Sequence, residues 1–151
     1  MAFVSGHAVG GRSRAVGPAV SVAPKTAIAR AARSGSRRAH LNMMVTEIES
    51  KAGFDAALSS AGDALVVIDY STTWCGPCKL VAPKFEEMSD AYKNVVFLKV
   101  TGDKNAETNQ LMQSNGIRSV PTFHYYKAGE KVYEVTGAKV ADIEAGIKSH
   151  M

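Results

Sequence analysis

The 151-residue chain has two cysteines, Cys75 and Cys78, separated by Gly76 and Pro77 in the stretch TTWCGPCKLVAP. Thiols at this spacing suit half of a metal site, a structural bridge, or a centre that cycles between dithiol and disulfide. A structural zinc site takes four ligands, commonly two such pairs or one pair with two histidines. There is no second CxxC; His7 and His40 lie in the N-terminal tail, and His124 and His150 lack a ligand spacing. A bridge over so short a loop constrains the unfolded chain little. Redox exchange is the chemistry that remains, and it asks for a strand and a helix to hold the pair.

The flanking runs supply them. ALVVIDYS, just before the pair, is a short apolar run with a β-branched middle, as expected of a strand covered on both faces. From Pro77 to Tyr92, Leu80, Val81, Phe85 and Met88 mark a helix, which Pro83 is expected to kink. The cysteines therefore open a helix. Unpaired N–H groups and the helix dipole both favour a thiolate there, and Pro77 suits the first turn. Cys75 is expected to be the exposed nucleophile, and Cys78, one turn in, the more buried resolving thiol. The Cys75 thiolate attacks a disulfide in another protein, and Cys78 then attacks Cys75, leaving Cys75–Cys78 oxidised.

The rest of the body reads the same way. MMVTEIES suggests a short edge strand, KAGFDAALSSAG a helix ended by Gly62, VVFLKVT a buried strand, and NAETNQLMQSNG a helix closed by Gly116. TFHYYKAGEKVYEVTG reads as two strands turning at Ala128 and Gly129, and AKVADIEAGIKSH as a last amphipathic helix. The order β-α-β-α-β-α-β-β-α predicts an α/β fold: a central mixed five-stranded sheet flanked by helices on both faces.

Charge separates this body from what precedes it. Residues 1–44 carry seven basic residues and no acid, whereas the remainder has 11 Lys/Arg against 14 Asp/Glu, a sum of −3 beneath the chain's net +4. The acid-poor segment, rich in Ala, Ser, Gly and Arg, reads as an organelle transit peptide over 1–44, ahead of a redox domain over 45–151. Basicity confined to the leader gives no reason to expect nucleic acid. No run approaches the roughly 18 apolar residues of a membrane helix. A body of about 107 residues can bury roughly two thirds of its unfolded surface, enough for one core without disulfide staples, and a monomer is expected.

WCGPCK after a buried strand, with SVPTF downstream, resembles thioredoxin over residues 45–149. The resemblance implies a thioredoxin fold and a protein-disulfide reductase needing no cofactor beyond its own Cys75–Cys78 disulfide. It implies a buried proton acceptor at Asp69, tuned by Lys99. From the residues alone, Asp69 reads equally as a strand-end cap and Lys99 as a solvated strand lysine. The resemblance further implies a cis proline at Pro121 that presents the Val120 backbone to an extended substrate. Trp74, Gly76 and Pro77 then form an apolar contact surface, and Gly137 admits the partner closely. Tyr125, Tyr126, Phe97 and Phe85 read as core. The Gly-Pro insert favours a reductant over an isomerase, families that differ by about 90 mV, or roughly 4 kcal/mol for two electrons. A thioredoxin-fold binding module without turnover is the rival, but such modules commonly lose one cysteine.

Within the family, YSTTWCGPCKLVAPKFEEMSDAYKNVVFLKV and VYEVTGAK are most similar to the f-type thioredoxins of chloroplasts. That likeness implies a stromal location, ferredoxin–thioredoxin reductase as donor, and targets such as fructose bisphosphatase and glyceraldehyde-phosphate dehydrogenase. Mitochondrial or plastid m-like relatives are the alternative. Two features depart from the f pattern. The third cysteine that land-plant f-types carry after the FLK strand is missing from VTGDKNAET, so regulation through it is not expected. The body is also net acidic, although Lys79, Lys84, Lys104, Arg118, Lys127 and Lys139 remain candidates for a basic docking surface.

Overall fold

A computed structural model describes Gly17 and residues 44–151. The proposed leader therefore lies almost wholly outside the described residues. The body contains β1 (Thr46–Ile48), α1 (Lys51–Ala61), β2 (Leu65–Ser71), α2 (Gly76–Ala91), β3 (Val95–Thr101), α3 (Ala106–Ser114), β4 (Thr122–Lys127), β5 (Glu130–Thr136) and α4 (Val140–His150). This is the expected order, and the five strands form one sheet in the order β1-β3-β2-β4-β5. β1 and β2 run parallel to β3, whereas β4 is antiparallel to β2 and β5 to β4.

Local chemistry sets the boundaries. The Ser50 hydroxyl caps α1 by accepting the Gly53 N–H at 3.1 Å, and Asn105 with Thr108 makes a reciprocal capping box at α3. Ala128 and Gly129 both take positive φ, 51° and 80°, as a two-residue hairpin matched to strand twist requires. Helix α2 runs uninterrupted to Ala91 through Pro83, which sits exposed on its outer surface. The proline removes the donor for the Lys79 carbonyl.

Strand pleating sends alternate residues of β2 into two cores. Leu65 and Val67 join Val81 and Phe85 of α2 and Ile143 and Ile147 of α4. Val66, Ile68 and Tyr70 join Phe54 of α1 and Leu111 and Met112 of α3. Fully burying such a side chain contributes roughly 1.5–3 kcal/mol. Phe85 fixes the redox helix over the sheet: its ring lies edge-on to Phe97 at 5.1 Å and against Phe123 at 5.6 Å. The Tyr92 hydroxyl ties the end of α2 to α4 by donating to Glu144 Oε1 at 2.7 Å. Phe85, Phe97 and Tyr125 are buried in the first core and Tyr126 in the second, as their sequence context suggested.

Candidate functional site

The site is built where β2, buried along its whole length, gives way to α2. The connecting loop is held from both sides. The Thr73 N–H donates to both Asp103 carboxylate oxygens, at 2.9 and 3.1 Å, and the Thr73 hydroxyl donates to Asp103 Oδ2. These bonds hold the Asp103 carboxyl below its usual range. The Cys75 N–H donates to the Thr72 carbonyl at 3.3 Å, turning the chain into the helix.

Cys75 is the N-cap of α2, and its Sγ accepts the Cys78 N–H at 3.2 Å. The two cysteines are joined as a disulfide, with Cα atoms 5.3 Å apart. The expected contrast in exposure does not hold in this oxidised form: Cys75 is 3% exposed and Cys78 5%. The reason is geometric. Sγ of Cys75 turns inward, toward both Sγ of Cys78 and the N–H at the helix start. What reaches solvent is the rim, where Trp74, Gly76 and Pro77 are exposed, Trp74 by 73%.

Beside the rim, the Val120–Pro121 peptide bond is cis, as the resemblance implied. Its loop is secured by the Thr122 hydroxyl, which donates to the Ser119 carbonyl at 2.8 Å. The Gly137 N–H donates to the Pro121 carbonyl at 2.8 Å. Gly137 takes φ +96°, a backbone conformation that favours glycine, with open space where a Cβ would point. Trp74 and Val120 line one groove there, with Met112, Ile117 and Arg118.

Asp69 lies on β2, 2% exposed, and its Oδ1 has no hydrogen-bond partner among the described residues. Burial pushes its carboxyl up to about 7, against the opposing charge of Lys99. Lys99 is its register partner on β3, so the strand-end-cap reading has no support here. Lys99 and Cys78 line a second groove with Lys79. Of the six candidate docking cations, four have local partners. Lys84 pairs with Glu87, Lys104 with Glu47 and Glu49, and Lys139 with Asp142, while Lys127 donates to the His150 carbonyl. Lys79 and Arg118 face the two grooves at the site. No metal-holding group of three or more His, Cys, Asp or Glu occurs among the described residues.

The thioredoxin family profile matches residues 45–149. This chain belongs to the thioredoxin family. Equus caballus thioredoxin is 47% identical over 105 residues, which cover 70% of this chain and 97% of that protein. The crystal structure of thioredoxin f from spinach chloroplast, short form, superposes with a TM-score of 0.67 and 42% identity, covering 71% of this chain and 93% of that one. A crystal structure of ferredoxin:thioredoxin reductase in complex with thioredoxin f2 matches at TM-score 0.66 and 43% identity, covering 71% and 94%. The chain is thus a thiol-disulfide oxidoreductase of the thioredoxin fold whose redox group is its own cysteine pair.

The Thr73–Asp103 clamp was absent from the sequence reading. Its members are 30 positions apart, and an aspartate in a Gly-Asp-Lys-Asn stretch reads as ordinary loop.

Proposed function

We propose that this thioredoxin is a plastid reductant of the f type, which reduces regulatory disulfides of stromal carbon-fixation enzymes. Fructose bisphosphatase and glyceraldehyde-phosphate dehydrogenase are the expected targets, and ferredoxin–thioredoxin reductase the donor. The observation that carries this reading is the 42–43% identity to thioredoxin f over more than nine tenths of those chains, one of them bound to ferredoxin:thioredoxin reductase. The acid-free basic leader over 1–44 agrees with a plastid address.

In this reading the reduced pair starts the reaction. The Cys75 thiolate, held by the Cys78 N–H, attacks one sulfur of a target disulfide. A bond forms from Cys75 to the target, and the other target sulfur leaves as a thiolate. Asp69, with the Lys99 ammonium favouring its ionised form, accepts the proton of the Cys78 thiol and becomes the neutral acid. The Cys78 thiolate then attacks Cys75 Sγ and expels the second target sulfur. Two electrons have passed to the target, and the Cys75–Cys78 disulfide seen here is the product. Trp74, Gly76 and Pro77 form the contact rim, Val120 and Pro121 offer a backbone edge to the target strand, and Gly137 leaves room for it.

The test uses Cys78→Ser in chloroplast extract, together with reduction of the wild type by each donor. The variant is expected to retain carbon-fixation enzymes as mixed disulfides, and the wild type to be reduced by ferredoxin–thioredoxin reductase. Reduction by an NADPH-dependent thioredoxin reductase alone, with no stromal adducts, overturns the plastid reading. It would favour the second one, a mitochondrial or other organellar thioredoxin, to which the 47% identity with an animal thioredoxin lends support.

A further inference from the structure

Three titratable side chains stand in a row across the sheet. Asp69 of β2 is the register partner of Lys99 on β3, and Lys99 is the register partner of Glu47 on β1. Register partners project from the same face of a sheet. The row therefore runs carboxyl, ammonium, carboxylate from the buried centre to the edge, under α2. Glu47 is fixed rather than free. Its Oε1 accepts the Thr101 hydroxyl at 3.0 Å and its Oε2 takes the Lys104 ammonium at 2.9 Å. Lys104 is itself held by Glu49 at 2.6 Å. Glu47, Thr101 and Lys104 line the same groove as Lys99 and Cys78. A fixed negative charge thus sits on the solvent side of the lysine whose other neighbour is the buried acid.

We infer that Glu47 is a positioning residue for the disulfide exchange: from the edge strand it draws the Lys99 ammonium outward and so sets the pH at which Asp69 gives and takes its proton. The inference rests on Asp69 being the proton acceptor for Cys78. The Lys104 hydrogen bond, with those of Thr101 and the charge of Lys99, holds the Glu47 carboxyl below its usual range, so it stays ionised while Asp69 titrates. Lys99 meanwhile opposes, without cancelling, the burial that raises Asp69. Other groups around Asp69 do not replace Glu47 in this role. On that face α2 contributes Cys78 and Lys79 to the groove that Lys99 lines, and the β3–α3 connection contributes Lys104, already paired with Glu47 and Glu49. Its β4 register partner, Phe123, is apolar.

Glu47→Gln removes the charge and keeps an oxygen for the Thr101 hydroxyl. Both consequences act in one direction: a negative charge leaves the vicinity of Asp69, and Lys99 is released toward it. Across two strand spacings, roughly 10 Å, and with partial screening, the Asp69 midpoint is expected to fall by on the order of half a pH unit. The measurement is the carboxyl-carbon NMR titration of Asp69 in the oxidised protein, with the resonance assigned by its loss in Asp69→Asn. It is paired with the pH profile of the resolving step in single turnover. The expected result is that both midpoints fall together in Glu47→Gln and that Glu47→Asp restores most of the difference. An Asp69 midpoint that stays or rises, while Asp69→Asn still slows resolution, overturns the role of Glu47 and leaves that of Asp69 standing. A midpoint that falls without the rate profile following overturns the acceptor role of Asp69, and with it the place of Glu47 in the reaction.

Discussion

Two buried titratable side chains lie one strand apart on opposite faces of the sheet, and they differ in what borders them. Asp69 on β2 faces α2, and burial lifts its carboxyl to about 7. His124 on β4 is 1% exposed and shares the α1/α3 face, where its ring meets Tyr70 edge-on at 4.9 Å. Burial, with the charge of Lys131, lowers its imidazole to about 4, although Glu134 lies 3.3 Å from Nε2 and acts the other way. Burial favours the neutral form of both groups. Beside Asp69 stands Lys99, which with Cys78 lines a groove open to solvent. His124 has aromatic rings and the edge of β5. The difference teaches that a perturbed group becomes chemistry only where it meets an exit and a reacting atom.

The comparison can be broken at several strengths. Cys75→Ser should abolish insulin-disulfide reduction outright, whereas His124→Gln should leave turnover intact. Loss of turnover in the folded histidine variant would erase the distinction between the faces. Asp69→Asn should slow resolution by on the order of 10²-fold, the lower end of what a positioned base contributes, while the initial attack changes less. Stopped-flow measurement of the two steps checks this, and equal slowing of both argues against a base.

Stability should separate the two groups by sign. The folded-state value of Asp69 lies above its unfolded value, so folding retains a proton the unfolded chain gives up. Its contribution is present below about pH 4 and is lost as pH rises to about 7. His124 lies below its unfolded value, so its contribution is present above about pH 6.5 and is lost as pH falls to about 4. The two slopes oppose each other over the shared window. Urea unfolding of Asp69→Asn should therefore leave stability rising with pH there, and His124→Gln should leave it falling. Each change should span on the order of 2–4 kcal/mol. Parallel slopes in the two variants would contradict the assignment. The smallest expected effect belongs to Glu134→Gln, where removing a half-exposed carboxylate should lower the His124 midpoint by a fraction of a pH unit, read by imidazole NMR.

The fold was legible because each element is written locally. The Val-Val-Ile and Val-Val-Phe-Leu runs, the glycines at 62, 116 and 129, and the apolar spacing of Ile143 and Ile147 each act within a few residues. The cysteine pair and its helix start were legible for the same reason. Relations across the sheet were not, save the Asp69–Lys99 pairing that the family resemblance implied. Placing Glu47 in that row requires β3 to lie between β1 and β2, and no local pattern states strand order. The burial of Cys75 escaped as well, because helix position predicts exposure of a residue but not the direction its sulfur takes once bonded. His124 looked like one of four unremarkable histidines until β4 was placed between β2 and β5.

The N–H of Cys78 already points at the sulfur of Cys75 while the two are bonded. When the bond opens, the same donor is in place to hold the anion that appears. Gaining or losing two electrons thus needs no new donor at this turn: one backbone N–H is on hand for the sulfur whichever partner it holds.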